Sequence, residues 1–370
     1  MSERRCPRCG VVYAEGARFC AKDGSMLVEA QSSSGGARRS GTGARKPPAS
    51  SAAPAASPTA PAPRPQAPAR ALERASTLMG QLLDARYQVV RKLGEGGMSY
   101  VYLAREVRTG EEVAIKVLAP KLATDKSSVE RLRREAGVAQ RLDHPNVCRI
   151  FRLGESEDGL IYLVMPFLKG QLLSDREVQG GPMDVATGVD ILRQVCAGLH
   201  HAHELQIVHR DLKPENVMLV AEGSKGERAV VMDFGLAKQR RADAALQKLT
   251  ATGIILGTPE FMSPEQIRGK PLDGRSDIYA LGIVAFEMFS GKLPFEGRNA
   301  QDMMIARLRG QPMALRQLRP DAPAWLEKAL ARAMEASPDA RYATALEFAA
   351  ALEAPSSSGG VLGKIKDKLR

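Results

Sequence analysis

From residue 29 to about 78 the chain is first Ser/Gly-rich and then Pro/Ala-rich, as in QSSSGGARRSGTGARKPPASSAAPAASPTAPAPRPQAPAR, with almost no large apolar side chains. Such a stretch cannot bury enough apolar surface to offset its chain entropy. The 370 residues therefore cannot fold as one body, and composition divides them into four parts. Residues 1–28 form a cysteine-bearing module, 29–80 a flexible and partly polyproline linker, 81–354 a globular domain, and 355–370 a basic amphipathic tail. A hydrophobic fraction of 44% is ample for the globular core. The start, MSERRCPRCG, has charges and a cysteine pair where a secretory apolar segment would sit. No later run approaches the roughly 20 apolar residues that span a bilayer. No transmembrane segment is expected, and the expected location is the cytoplasm.

The formal net charge of +11 would suit nucleic acid, but its distribution argues otherwise. Residues 1–80 hold twelve Lys/Arg against five Asp/Glu, so +7 of the excess lies in the N-terminal module and linker. A solvated segment explains that charge, and no specific nucleic-acid partner is expected.

The globular part opens with short, β-branched apolar runs, Tyr87 to Leu93, Ser99 to Ala104, Val113 to Leu118 and Leu160 to Met165, which read as antiparallel strands. Between the third and fourth, Ser127 to Leu142 has a capping box in Ser127 and Glu130 and a shared face of Val129, Leu132, Ala136 and Ala139, predicting one helix. After Gly181 helical spacing dominates, as in VDILRQVCAGLHHAHEL, DIYALGIVAFEMFSG and PAWLEKALARAME. The fold class is α+β and bilobal, a small β-rich lobe before a larger helical one.

Between the first two strands stands Leu93-Gly94-Glu95-Gly96-Gly97-Met98-Ser99-Tyr100-Val101. Glycines there let backbone amides approach phosphate oxygens that any Cβ would obstruct. Lys116 ends the apolar strand Val113-Ala114-Ile115, and Glu135 falls on the sheet-facing side of the following helix, with Leu132 and Ala139. A buried carboxylate needs a cation, so Lys116 and Glu135 are expected to pair and hold the lysine against the α- and β-phosphates of ATP.

The run Val208-His209-Arg210-Asp211-Leu212-Lys213-Pro214-Glu215-Asn216-Val217-Met218-Leu219, followed by Asp233-Phe234-Gly235, resembles the catalytic and magnesium-binding loops of protein kinases, with the earlier elements in the right order. Closest in character are the bacterial eukaryotic-like serine/threonine kinases. The resemblance covers about Leu82 to Ala354. It implies ATP-dependent transfer to serine or threonine of proteins, with Asp211 orienting the acceptor hydroxyl, Asn216 and Asp233 binding Mg²⁺, and Lys213 at the γ-phosphate. It also assigns Leu93, Gly94, Gly96 and Ser99 to the phosphate loop, and Val101, Ala114 and Met218 to the adenine faces. Met165 becomes the gatekeeper, and Pro166 and Leu168 the hinge. Pro166 replaces the usual acidic residue, but that position contributes only its carbonyl.

The segment Gly257-Thr258-Pro259-Glu260-Phe261-Met262-Ser263-Pro264-Glu265 is similar to the family's peptide-binding loop, with Ser263 where alanine is usual. The resemblance places Thr258 on Asp211 and Lys213, Asp277 under the catalytic loop, and Arg341 on Glu265. Thr250 and Thr252 match positions phosphorylated in the family, with Arg210 and Lys238 as phosphate anchors. Self-phosphorylation between two copies, in a transient dimer, is the implied regulation. Lys116, Asp211, Asn216 and Asp233 are all present, which separates an active kinase from the alternative, a pseudokinase scaffold.

The histidines at 200, 201 and 203 do not share one helix face and make no metal site; His209 reads as structural. Cys148 and Cys196 sit in apolar contexts and read as inert core residues. Cys6-Pro7-Arg8-Cys9-Gly10 is echoed by Cys20-Ala21-Lys22-Asp23-Gly24. Two such turns would bring Cys6, Cys9, Cys20 and Asp23 around one zinc ion, resembling a zinc ribbon with aspartate as the last ligand.

Overall fold

The computed structural model describes residues 75–96, 99–118, 133, 136–157, 159–223, 226–234, 259–297, 299–310 and 312–353, and the backbone at 4–5, 12–13 and 28–29. The chain divides into two compact units, Met1–Ala62 and Pro63–Arg370. In the first, β1 (Arg4–Arg5) pairs antiparallel with both β2 (Val12–Tyr13) and β3 (Val28–Glu29). The four candidate zinc ligands lie outside the described residues.

The second unit begins with a six-stranded sheet in the order β4-β5-β6-β7-β9-β8. Its strands are β4 (Leu82–Leu83), β5 (Tyr87–Gly96), β6 (Ser99–Glu106), β7 (Glu112–Leu118), β8 (Arg152–Glu155) and β9 (Ile161–Pro166). Side chains alternate across such a sheet. Val113, Ile115 and Val117 turn to one face and join Tyr102, Tyr162 and Val164 in a closed core. Lys116 turns to the other face, opposite Val101 on β6 and Leu163 on β9, while its neighbour Ala114 stands opposite Leu103 and Met165. The helix expected over Ser127–Leu142 lies largely outside the described residues, but Arg133 and 136–139 are helical, and Ala136 and Ala139 are buried.

A second sheet joins β10 (Gln171–Leu172), β11 (Val217–Ala221) and β12 (Glu227–Val231). Around it lie α1 (Leu173–Gly180), α2 (Val185–Glu204), α3 (Pro264–Ile267), α4 (Gly274–Ser290), α5 (Ala300–Arg309), α6 (Leu315–Leu318), α7 (Ala324–Ala333) and α8 (Ala345–Ala351). α2 begins where Asp184 accepts a bond from the Thr187 amide at 2.9 Å, satisfying one of the free donors of its first turn. α4 is apolar on every side from Ile278 to Phe286, which only a fully enclosed helix can be, and α2, α7 and α8 pack on it. This central helix is the fixed frame beneath the catalytic-type loop.

Candidate active site

The loop from Val208 to Asn216 is held in an unusual shape by its sequence neighbours in space. Arg210 has φ +67°, a left-handed conformation that side chains with a Cβ disfavour by about 1–2 kcal/mol. The peptide groups on both sides of it are fixed. Asp277, in the first turn of α4, accepts from the amide of His209 at 2.8 Å and from that of Arg210 at 2.9 Å. The Arg210 carbonyl accepts from Gln266 Nε2 at 2.7 Å. Gln266 is itself set by a capping box with Ser263, which starts α3.

Asp277 is buried, and burial alone would push its carboxyl up. The bond with His203 Nε2 at 2.8 Å, together with His209, outweighs that and holds the group below the usual carboxylate range. Close approach makes this possible: a Cβ on Gly274 would sit 2.5 Å from His203 Nδ1. His209, fully buried, places Nε2 2.8 Å from the Met232 carbonyl and packs edge-on to Phe234. Its expected structural part agrees with this geometry.

The loop ends on Asn216, whose Nδ2 donates to the Asp211 carbonyl at 2.7 Å and to Asp211 Oδ2 at 3.1 Å. With the amide nitrogen spent there, Oδ1 is the group left to offer a cation. The Asn216 carbonyl accepts from Met232 N at 2.8 Å, tying the loop to the residue before Asp233. Asp233 also has a positive φ, +58°, and its Oδ1 lies 2.6 Å from Lys116 Nζ. Lys213, two residues beyond Asp211, lies 3.8 Å from Glu215.

Sheet register gathers Val101, Ala114, Lys116 and Met165 on one face, and the β10–β11 pairing sets Met218 opposite Leu172. Strand β9 carries the chain through Met165 and Pro166 to Phe167 and Leu168, all half-buried. Leu93, Gly94, Gly96 and Ser99 stand at the far end of the β5–β6 hairpin, where Gly96 pairs with Ser99. Glu135, Lys238, Thr250, Thr252 and Thr258 lie outside the described residues. Among the described residues the partner of Lys116 is Asp233 rather than a helix glutamate.

Arg341 is fully buried and bidentate on Glu265, at 2.7 and 2.8 Å. Burial would raise the Glu265 carboxyl, but Arg341 and the Ser276 hydroxyl at 2.6 Å bring it below its ordinary value. Arg210 keeps a buried Nε without a hydrogen-bond partner among the described residues. Of the three helix histidines, His201 Nε2 accepts from the Asp143 amide and stacks on His144, while His203 serves Asp277. Cys148 and Cys196 are buried core thiols, and burial pushes Cys148 up to about 12.

Sequence reasoning missed His203 and Gln266. The Ser-x-x-Gln capping pattern at Ser263 could have pointed to Gln266. His203 had no local signal, because its partner lies 74 residues away.

The protein kinase domain family matches residues 87–346, and the chain belongs to that family. Within it, the chain groups with the bacterial serine/threonine kinases of the PrkC and PknB kind. Serine/threonine-protein kinase PrkC of Bacillus subtilis is 38% identical over 74% of this chain and 41% of its own length. Serine/threonine-protein kinase pkn3 of Myxococcus xanthus is 38% identical over 75% of this chain and 51% of its own. The chain thus spans about half, or less, of the length of these curated relatives. The crystal structure of the Mycobacterium tuberculosis PknI kinase domain superposes with a TM-score of 0.58 at 30% identity, covering 74% of this chain and 97% of that one.

Proposed function

We propose that this protein transfers the γ-phosphate of ATP to serine and threonine hydroxyls of other proteins. The observation that carries the reading is the convergence of Lys116, Asp211, Asn216 and Asp233 through the contacts above. Phosphoryl transfer rests on positioning and on neutralising charge, and each residue has a task of that kind. Asp211, steadied by Asn216, accepts or orients the proton of the acceptor hydroxyl. Lys116, now on Asp233, supplies the cation for the α- and β-phosphates, and Lys213 the one for the γ-phosphate. Asn216 Oδ1 and the Asp233 carboxylate are hard oxygen donors that would hold Mg²⁺, which would supply positive charge against the phosphates. Val101, Ala114 and Met218 enclose the adenine, with Met165 behind it and the backbone of Pro166 and Leu168 at its edge.

Thr250 and Thr252 are proposed as self-phosphorylated sites, modified by one copy on another, with Arg210 and Lys238 as anchors; an Arg210 Nε without a partner among the described residues supports that role. Incubating the intact protein with Mg-ATP and mapping its phosphosites tests both statements. Asp211→Asn should remove all transfer while leaving the fold intact, and retained turnover overturns the assignment. For the first unit we propose a zinc-binding ribbon built on Cys6, Cys9, Cys20 and Asp23, supported by the antiparallel pairing of β1 with β2 and β3. About one zinc per chain, lost with a chelator, is the expected outcome, and a metal-replete sample without zinc rejects it.

A further inference from the structure

Two histidines outside the reacting centre face each other where α2 meets the loop before β8. His201 of α2 and His144 of the loop are both half-buried, and their rings stack with centroids 5.4 Å apart and planes inclined by 25°. Each ring spends one nitrogen on a backbone amide of the loop. His201 Nε2 accepts from Asp143 N at 3.2 Å, and His144 Nδ1 accepts from Asn146 N at 3.1 Å. A backbone amide only donates, so both of these nitrogens carry lone pairs and both rings are neutral in this arrangement. A further proton on either ring has only that lone pair to bind. It breaks the bond, turns one N–H against another and, on both rings, sets like charges face to face. Burial first, and the charge of His201 second, push His144 below the usual histidine range.

The loop these rings clasp is the backing of the strand that leads to Asp233. Asn146 Nδ2 donates to the Ala229 carbonyl at 2.8 Å, the Asn146 carbonyl accepts from Val231 N at 2.9 Å, and Cys148 N donates to the Val231 carbonyl at 2.8 Å. β12 ends at Val231, two residues before Asp233. The loop also presses on α2 itself: a Cβ on Gly198 would lie 2.7 Å from the Asn146 carbonyl oxygen, and Gln194 Oε1 accepts from Asn146 Nδ2 at 3.1 Å. Charge reaches this corner from each element. Asp143 pairs with Arg149, and Arg228 of β12 donates to the Pro145 carbonyl and pairs with Glu222. On α2, His200 pairs with Glu204, and His203 with Asp277 of α4.

We propose that His144 and His201 form an acid-sensitive latch, which clasps the Asp143–Asn146 loop to α2 while both rings are neutral and lets it go when they take up protons. Released, the loop no longer steadies β12, and Asp233 loses its fixed place beside Lys116. The latch rests on the kinase reading only for its effect on turnover. Its effect on the fold stands without that reading.

The test compares the intact protein with the double variant His144→Asn, His201→Gln, whose amide oxygens take the places of Nδ1 and Nε2 and accept the same two bonds without titrating. An unfolded histidine takes its proton at about pH 6.5 and His144 in the fold resists it, so the unfolded state binds more protons in acid and stability falls as pH drops through that value. Between about pH 7.5 and about pH 5 the unfolding constant in urea should rise about tenfold more for the native chain than for the double variant. Over the same interval kcat for a neutral serine peptide with Mg-ATP should fall about fivefold further in the native chain. The same acid response in both proteins overturns the proposal. Should the double variant fail to fold, amide hydrogen exchange of the native chain decides: protection at Asp143 and Asn146 should drop about tenfold, and constant protection is fatal. Absence of transfer at every pH would instead strike the kinase reading, and the unfolding comparison would still judge the latch.

Discussion

Helix α4 carries a buried carboxylate near its start and a half-buried one near its end, and the two live under opposite conditions. Asp277, in the first turn, faces the positive end of the helix dipole and receives two backbone amides and His203. Glu287, in the last turn, faces the negative end, feels the charge of other carboxylates, and keeps one oxygen without a donor among the described residues. The first sits below its ordinary range and the second is driven up to about 7. A carboxylate supplied with donors is a structural post. One surrounded by its own kind is pushed toward its neutral form.

The sharpest way to break this contrast is to remove the post. Asp277→Ala leaves two buried amides and a histidine without their acceptor and releases a strained loop. Unfolding in urea should show a loss of about 3–5 kcal/mol. The turnover of whatever remains folded should fall at least about a hundredfold, because Asp211 is displaced. A variant with wild-type turnover would show that the loop holds its shape unaided.

Glu177 of α1, which feels the charge of Glu287 at the opposite end, should respond with the opposite sign. Glu177 ionises near 4.5 in the unfolded chain and near 8 in the fold, so its raised folded value makes the native state keep a proton that the unfolded state gives up. Stability should therefore fall as pH climbs through that window, with the penalty complete above about pH 8 and absent below about pH 4.5. Glu177→Gln removes it. The variant should be more stable than the native chain above about pH 8, by on the order of 1–2 kcal/mol once solvent access is allowed for, and equal to it in acid. Equal stability at both ends of the range would mean that Glu177 is not in a repulsive site.

The smallest change tests the support from the other side of the loop. Gln266→Ala deletes the bond to the Arg210 carbonyl and half of the Ser263 capping box. About 1 kcal/mol of stability should be lost, with a fall in turnover well short of that for Asp277→Ala. A larger effect on turnover than Asp277→Ala would reverse the order of importance.

Much of the site was legible in the chain because its signals are local. Alternation put Lys116 and Ala114 on one strand face, and register then set Val101 and Met165 beside them. His209, Asp211, Asn216 and Asp233 stand within a short run whose wording identifies it. The pair Arg341 and Glu265 was expected from two motifs, and its 2.7 Å bond agrees. By contrast, the expected partner Glu135 lies outside the described residues, and Lys116 meets Asp233.

By itself the sequence made legible the order of strands and helices from residue 82 on and the kinase class of the domain they build. Periodicity, turn chemistry and composition act over a few residues, and they need no knowledge of what lies across the fold. Only the tertiary structure decided that His203 joins the His209 and Arg210 amides on Asp277, whose place under the loop the resemblance had implied. It alone set Glu177 within the electrostatic reach of Glu287, 110 residues further along the chain. Whether a carboxylate sits below or above its ordinary range depends on how many donors and how much water reach it, and packing, not local sequence, sets both.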